Sequence, residues 1–504
     1  MTAAAEPSQN SSQAQQYLLI LTGFYMQPKN IMRLLRAMAR QGLDVHHHNQ
    51  SYSVRWTDSP DAPIAEVLLP ENFPVEAKAF KQLANLAKAK HPGGGHICHV
   101  CATPDFHPGD AGVAIGSIVE TSGQVIPAAV GSDINCGMRL HVADISVDKF
   151  LAYRDRFVEL MKGDFFFGKR DVTMNSQAMA ALFFHGVTGW VDAMLDNPTG
   201  SVRKSDINQL AIEIDRIFLK GSMSGHSYWA PKELVPESGL VRDDGLGTIG
   251  GGNHFVEVQW IEEVNNTSLA YQWGVKKNQL AFMIHSGSRH VGKYIGGMWR
   301  DRAQSFWQKG AKYPESRLFP LSATTHPEAL VDYLQAEATA ANYGFVNRLL
   351  LSELLRLRLR EVYGDVAAPL VYDLPHNITL PEGKGWITRK GACPAHDGQP
   401  VIIPGSMATA SYLLVGLGNS HWCCSASHGA GRSHSRFDLN RKGNKASEDD
   451  LGLTGVDCIT LREERRIEEA PAAYKPITPV IDAQVKAGLV KVVARMQPIL
   501  TFKA

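Results

Sequence analysis

Apolar and polar residues alternate along this chain in two rhythms, and the switches between them mark out its elements. Ile31, Leu34, Leu35 and Met38 recur at i, i+3, i+4 and i+7, one stripe of a helix that Asn30 can cap and Gly42 can stop. An apolar run over residues 17–24 precedes it and reads as a buried strand, giving a small strand–helix unit. Residues 1–16 are Ala-, Ser- and Gln-rich with almost nothing to bury, the composition of a disordered tail. The Pro-rich stretch 59–74 reads as a linker. Residues 77–89, 298–309 and 328–362 carry helical patterns, and 147–240 is mainly helical, most clearly over 148–161 and 207–218. Strands are expected at 113–119 and 489–493. Three further apolar strands each hold a histidine at one end: His254 after a glycine-rich loop, His285, and His376. Histidines at strand ends in distant parts of the sequence suit a pocket built where strands converge.

Composition narrows the class of protein. The chain has 504 residues, enough for two or three domains or one large one with a substantial core. Its 51 basic and 50 acidic residues nearly cancel, which excludes a general polyanion coat and leaves only a local basic patch for nucleic acid. Seven cysteines at irregular spacings argue against a secreted disulfide framework and for reduced thiols. No apolar run approaches the length that crosses a bilayer, and the opening residues lack the regions of a signal peptide, so a cytoplasmic protein is expected.

Several short stretches carry candidate chemistry. His428, Gly429 and Gly431, followed by Arg432 and Arg436, form a glycine-flanked turn able to hold a phosphate, with an imidazole free to act as nucleophile, base or ligand. The basic run Arg432, Arg436, Arg441, Lys442 and Lys445 is either a solvated face or a polynucleotide track. Asp133 and Cys136 are three apart between glycines, so a hard oxygen and a soft sulfur can converge on one cation or two. Pro104-Asp-Phe-His-Pro-Gly109 reads as a turn-rich loop that places a carboxylate and an imidazole two residues apart. His46, His47 and His48 cannot share one face of a regular element and read as a solvated turn. His96-Ile-Cys-His-Val-Cys101 suggests zinc, but no second C-x-x-C completes a site, so a short strand with buried thiols is expected.

Taken in order, the blocks resemble the RtcB family of GTP-dependent RNA ligases, which join RNA ends in tRNA splicing and repair. The resemblance runs from about residue 76 to the end of the chain. It rests on Pro104-Asp-Phe-His-Pro-Gly109, Gly131-Ser-Asp-Ile-Asn-Cys-Gly137, Gly250-Gly-Gly-Asn-His-Phe-Val-Glu257, His285-Ser-Gly-Ser-Arg289, His376-Asn377, Arg389-Lys-Gly-Ala392, Pro404-Gly-Ser-Met407 and Ser427-His-Gly-Ala-Gly-Arg432.

The resemblance implies an α+β fold with one large catalytic domain over 76–504 whose strands converge on a dinuclear metal pocket; the tail over 1–16 and the strand–helix extension over 17–75 stand outside the usual family core. It implies that Asp133, Cys136, His254, His285 and His376 bind two manganese ions and that His428 becomes guanylylated. It places GTP against Asn253, Glu257, His376, Asn377, Pro404, Gly405, Ser406, Met407, Ser411, His428, Gly429, Ala430, Gly431, Tyr474 and Lys503. The implied substrates are RNA with 2′,3′-cyclic phosphate or 3′-phosphate ends and RNA with 5′-hydroxyl ends; a protein activator is compatible with this. Departures from the family pattern stand at His290, Ala408, Ser433 and His434, and a divergent member is expected. Two alternatives share the pocket: a guanylyltransferase that caps 3′-phosphates without sealing, and an RNA-binding relative without turnover.

Overall fold

The computed structural model describes residues 25–70, 72–434 and 447–504. The strand expected at 17–24, the tail before it, and Arg436, Arg441, Lys442 and Lys445 lie outside the described residues. Helix α1 (Pro28–Ala39) starts two residues before the expected cap Asn30, because Pro28 fits the first turn, where an N–H would have no partner. Strands β1 (Leu43–His48) and β2 (Ser51–Trp56) form a hairpin whose turn residues, Asn49 and Gln50, both have positive φ. His46–48 therefore lie on a strand and not in a turn, and alternate between its faces. Strand β3 (Ala65–Leu68) occupies part of the expected linker, pairing with β2. Helix α2 (Ala77–Ala87) leads to β4 (His96–His107), which pairs in parallel with β3 and antiparallel with β5 (Ile115–Ser122). β4 takes in the supposed turn at 104–107: its register with β5 shifts between Ala102 and His107, and such a bulge is where a strand tolerates a proline.

The remaining large elements follow in order: β6 (Gly137–Ser146), α3 (Ser176–Asp196), β7 (Phe255–Val264), β8 (Gln279–Ser286), α4 (Arg289–Ser305) and α5 (Pro327–Tyr363). After them come β9 (Leu370–Pro375), β10 (Asn377–Leu380), β11 (Trp386–Lys390), β12 (Ala392–Pro394), β13 (Pro400–Ile403), β14 (Ser411–Gly416), β15 (Ser425–Ser427), α6 (Ile477–Lys486) and β16 (Val490–Phe502). The architecture is mixed α/β. One sheet has the order β1-β2-β3-β4-β5-β11-β10, and the other β9-β6-β8-β7-β16-β14-β13. The N-terminal strands thus extend the sheet that begins in the later part of the chain. By length and composition α3 could span a bilayer, contrary to the expectation that no run approaches that length. Here it is a core helix: Met179, Leu182, Phe183 and Trp190 are buried in one cluster with Tyr343 and Val346 of α5, and it kinks at Gly186.

The second sheet is covered on both faces, and the alternation along β7 decides which residues go where. Val256 and Val258 pack with Phe282, Leu351 and Leu355, while Phe255 packs on the other side with Met138, Met283 and Leu413. The chain passes from the second sheet to the first between β9 and β10, and the residue at that crossing is His376. In the register of the second sheet, His285 lies opposite both Phe255 and Met138, and Gly137 lies opposite both Ser286 and Pro375. Four strand ends therefore meet at one place.

Candidate active site

Convergence of these ends brings Asp133, Cys136, His254, His285 and His376 together. The Cys136 sulfur stands 3.2 Å from Nε2 of His254 and 3.1 Å from Nε2 of His285, which is 3.2 Å from Nε2 of His376. Backbone carbonyls set the rings: Nδ1 of His254 donates to Ile249 O at 3.1 Å, and Nδ1 of His285 donates to Asn253 O at 3.2 Å. Both Nε2 atoms are then left with lone pairs. Nε2 of His254 nevertheless faces the Asp133 carboxylate at 2.8 Å, acceptor against acceptor, so a proton or a cation has to lie between them. Burial holds the His285 and His376 imidazoles well below their ordinary range, the neutral state that metal ligation needs. Burial, and then the Asp133 charge, push the Cys136 thiol well above its ordinary range, which a bound cation would reverse. Carboxylate, thiolate and imidazole converging at one place fit a transition metal.

The loop bearing Asp133 and Cys136 is held from below. Arg348, fully buried on α5, donates from Nη1 to Asn135 O at 2.6 Å and Ser286 O at 3.1 Å, and its other nitrogens reach both oxygens of Asp373. Arg139 completes the network on Asp373 at 3.2 Å. Gly287 lies over the loop so closely that a Cβ there would come within 2.4 Å of the Asp133 carboxylate.

His428 follows β15, which pairs with β12. Its Nδ1 donates to Oδ2 of Asp105 at 2.6 Å, and its backbone N–H donates to the same oxygen at 3.2 Å. Thr103 donates to the other oxygen at 2.6 Å. Burial works to raise the Asp105 carboxyl, but the His428 and Thr103 hydrogen bonds outweigh it and keep the group below its ordinary range. With Nδ1–H committed, Nε2 of His428 keeps its lone pair, and the ring lies 4.7 Å from that of His376. Gly431, at φ 77°, passes so near Asp105 that a Cβ would sit 2.2 Å from its carbonyl oxygen.

A cavity of about 860 Å³ joins the histidine cluster to His428. Asn253, Glu257, Asn377, Pro404, Gly405, Ser406, Met407, Gly429, Ala430, Gly431, Tyr474 and Lys503 line it together with all six residues above. Ser411 does not: it is fully buried behind the turn, accepting from Gly405 N at 3.2 Å and from Gln259 at 3.0 Å. Burial pushes Glu257 up to about 7, against hydrogen bonds from Thr501 and Gln259. Asn377 ties the two halves, donating to Asp133 O at 2.9 Å and accepting from Gly391 N at 2.7 Å. The expected departures lie away from this space: His290 is 3.6 Å from Asp243, and the exposed His434 does not line the cavity.

Sequence reasoning missed Asp105 as the partner of His428, although it had singled out that carboxylate. It also missed Arg348, whose signal is a lone charge inside the apolar run Phe345–Leu351 of α5. Arg289 and Lys390, which stand in two of the family blocks without an assigned role, also line the cavity; Lys293, Arg300 and Arg465 were unmarked, as was Glu469, which accepts from Arg432 at 3.1 Å and from the Tyr474 hydroxyl.

The family model for tRNA-splicing ligase RtcB matches residues 82–504. The chain is 31% identical over 477 residues to a tRNA-splicing ligase RtcB of Archaeoglobus fulgidus, covering 84% of this chain and 91% of that protein. It is 32% identical to one from Nanoarchaeum equitans, over 81% of this chain and 88% of the relative. It is 31% identical to the RNA-splicing ligase RtcB of Mycobacterium tuberculosis, over 79% and 95%. The matched span takes in every residue that lines the cavity, and on that ground the chain belongs to the RtcB family.

Proposed function

We propose that this protein is an RNA ligase that seals 2′,3′-cyclic phosphate or 3′-phosphate RNA ends to 5′-hydroxyl ends, using GTP and two manganese ions, through GMP carried on His428. Family membership makes it a ligase enzyme, and the names of its relatives supply the RNA substrate. The observation that carries the mechanism is the contact between Asp105 and His428, which commits Nδ1 and leaves Nε2 as a nucleophile beside the histidine cluster.

Asp133, Cys136, His254, His285 and His376 would hold the manganese, whose charge would stabilise phosphate oxygens in the cavity. His428 Nε2 attacks the α-phosphorus of GTP; a P–N bond forms and pyrophosphate leaves. Asp105 compensates the positive charge that develops on the ring. Water opens a cyclic end to a 3′-phosphate, which attacks the same phosphorus, takes GMP and frees His428. The 5′-hydroxyl oxygen then attacks the activated RNA phosphate, and GMP departs. Glu257, Asn377, Lys503 and the Pro404–Met407 turn would orient the nucleotide, and the cations on the wall would bind the RNA backbone.

The test is incubation with α-phosphate-labelled GTP and Mn²⁺, followed by denaturing electrophoresis. Acid-labile, alkali-stable label on the parent and none on His428→Ala supports the reading; label retained by the variant refutes the role of His428.

A further inference from the structure

We propose that His99, Cys101 and Cys423 form a second cation site, for a soft divalent metal of the zinc class, that ties β4 to the segment delivering His428. A ring nitrogen of His99 and the two sulfurs lie within 4.8 Å of one another. The sequence expectation set zinc aside because no second cysteine pair follows His96–Cys101. The missing half is His421-Trp-Cys-Cys424, more than three hundred residues later, which the fold lays against β4.

The donors are prepared for a cation. His99 and Cys101 are two residues apart on a strand and share one face. Nε2 of His99 lies 3.0 Å from the carbonyl oxygen of His421; a carbonyl only accepts, so Nε2 carries the proton and Nδ1 holds a lone pair. Metal-binding histidines are commonly oriented by this kind of second hydrogen bond. Cys101 and Cys423 are both buried, and their thiols are hydrogen-bonded to each other. That bond, followed in weight by the opposing effect of burial and by the Arg389 cation, holds the Cys423 thiol below its ordinary range. Cys101 is pushed well above its own. A soft metal would displace the shared proton and bind both sulfurs as thiolates, with the Arg389 guanidinium favouring the charged form of each. His99 is half-buried, so a solvent ligand would complete a tetrahedral shell.

Backbone geometry supports the same place. Cys423 and Cys424 are consecutive non-glycine residues in the left-handed region, at φ 50° and 45°. Arg389 fixes them, donating to Cys423 O at 3.0 Å and to Ser425 Oγ at 2.8 Å. Cys101 stands four residues before Asp105, and Cys423 five residues before His428. A metal there staples together the two segments that meet at the Asp105–His428 pair. Two sulfurs and a nitrogen select zinc-class ions over manganese, so this site is chemically distinct from the one containing Asp133.

Reduced full-length protein would be loaded with Zn²⁺, dialysed metal-free, and its zinc counted by mass spectrometry. Parent, Cys136→Ala/His285→Ala and Cys101→Ser/Cys423→Ser proteins would be compared, with circular dichroism as the folding control. The expected result is one zinc retained by the first variant, and a loss of one relative to the parent in the second. Because either variant can misfold, alkylation of the parent is mapped with and without Zn²⁺; zinc should protect the Cys101 and Cys423 peptides. A zinc count unmoved by Cys101→Ser/Cys423→Ser, alkylation indifferent to zinc, or isolation of the parent with a Cys101–Cys423 disulfide would overturn the site.

Discussion

Replacing Asp105 by Asn tests the proposed nucleophile through its partner, and the structure decides between two outcomes of different size. If the amide turned its NH₂ toward His428, the ring would take the wrong tautomer and lose the Nε2 lone pair, a loss of about 10⁴-fold in catalytic triads. The geometry opposes that rotamer. Oδ2 of Asp105 accepts from both Nδ1 and the backbone N–H of His428, and an NH₂ there would face that N–H. The amide oxygen stays in its place, and the NH₂ goes to the Thr103 side. Thr103 can accept it, since its own hydroxyl has a second acceptor in Gly116 O at 3.3 Å. The tautomer is then kept, and only the charge is lost. A hydrogen bond to a charged group is worth about 1.5–3 kcal/mol, which converts to roughly 10- to 150-fold. The assay is the single-turnover rate of His428 labelling from α-labelled GTP, with nucleotide affinity measured separately. A rate within about threefold of the parent would show that Asp105's charge is not used, and a fall near 10⁴-fold would show that the rotamer argument is wrong.

Three further outcomes follow from the geometry. Arg348→Met leaves Asp373 buried with only part of its compensation and frees the Asp133–Cys136 loop, so chemical denaturation should show a loss of about 3–5 kcal/mol; a change below about 1 kcal/mol would remove Arg348 from that supporting role. Burial pushes Glu337 on α5 from 4.5 up to about 7, so the folded state binds the extra proton and stability falls as pH rises between those values. Glu337→Gln, which still accepts from Thr379 N, should flatten this decline by at most about 3 kcal/mol, read from denaturation midpoints across the window; an unchanged slope contradicts the burial argument. Cys136→Ala should weaken Mn²⁺ binding at least about 100-fold by calorimetry, exceeding the cost of losing an outer partner of a metal ligand; unaltered affinity would exclude the thiolate from the proposed metal site.

The histidine cluster was legible because its members end apolar strands beside small residues, a pattern confined to a few neighbouring positions. What joins them was not. The pairing of Asp105 with His428 spans 323 residues and depends on β4 continuing past Pro104, which it does only because a bulge absorbs the proline. β16 likewise continues to Phe502, well beyond the apolar run that ends at Val493; its register shift beside Pro498 lets it deliver Lys503 to the cavity. Four-residue β3 has too short an alternation to stand out among flanking prolines, and is fixed by pairing with β2 and β4. The two halves of the His99 site are each unremarkable locally, and only tertiary pairing assembles them.

Under the proposed function the same side chain takes two different tasks, according to what its second nitrogen touches. His254 and His285 give Nδ1–H to the neutral carbonyls of Ile249 and Asn253. A carbonyl orients the ring without supplying a charge; burial holds His285 well below its ordinary range, so its lone pair suits a cation, whereas at His254 the Asp133 carboxylate faces the same nitrogen at 2.8 Å. His428 gives Nδ1–H to a carboxylate that two further donors hold ionised. That partner favours a ring on which positive charge is developing, the requirement for a nitrogen that is to bond to phosphorus and later leave it. Exchanging the partners would change the balance: a carboxylate behind His285 would raise the basicity of its ligating nitrogen, and a carbonyl behind His428 would orient the ring but leave its cationic form uncompensated. The division of labour proposed for this cavity thus rests on Ile249, Asn253 and Asp105 as much as on the histidines they hold.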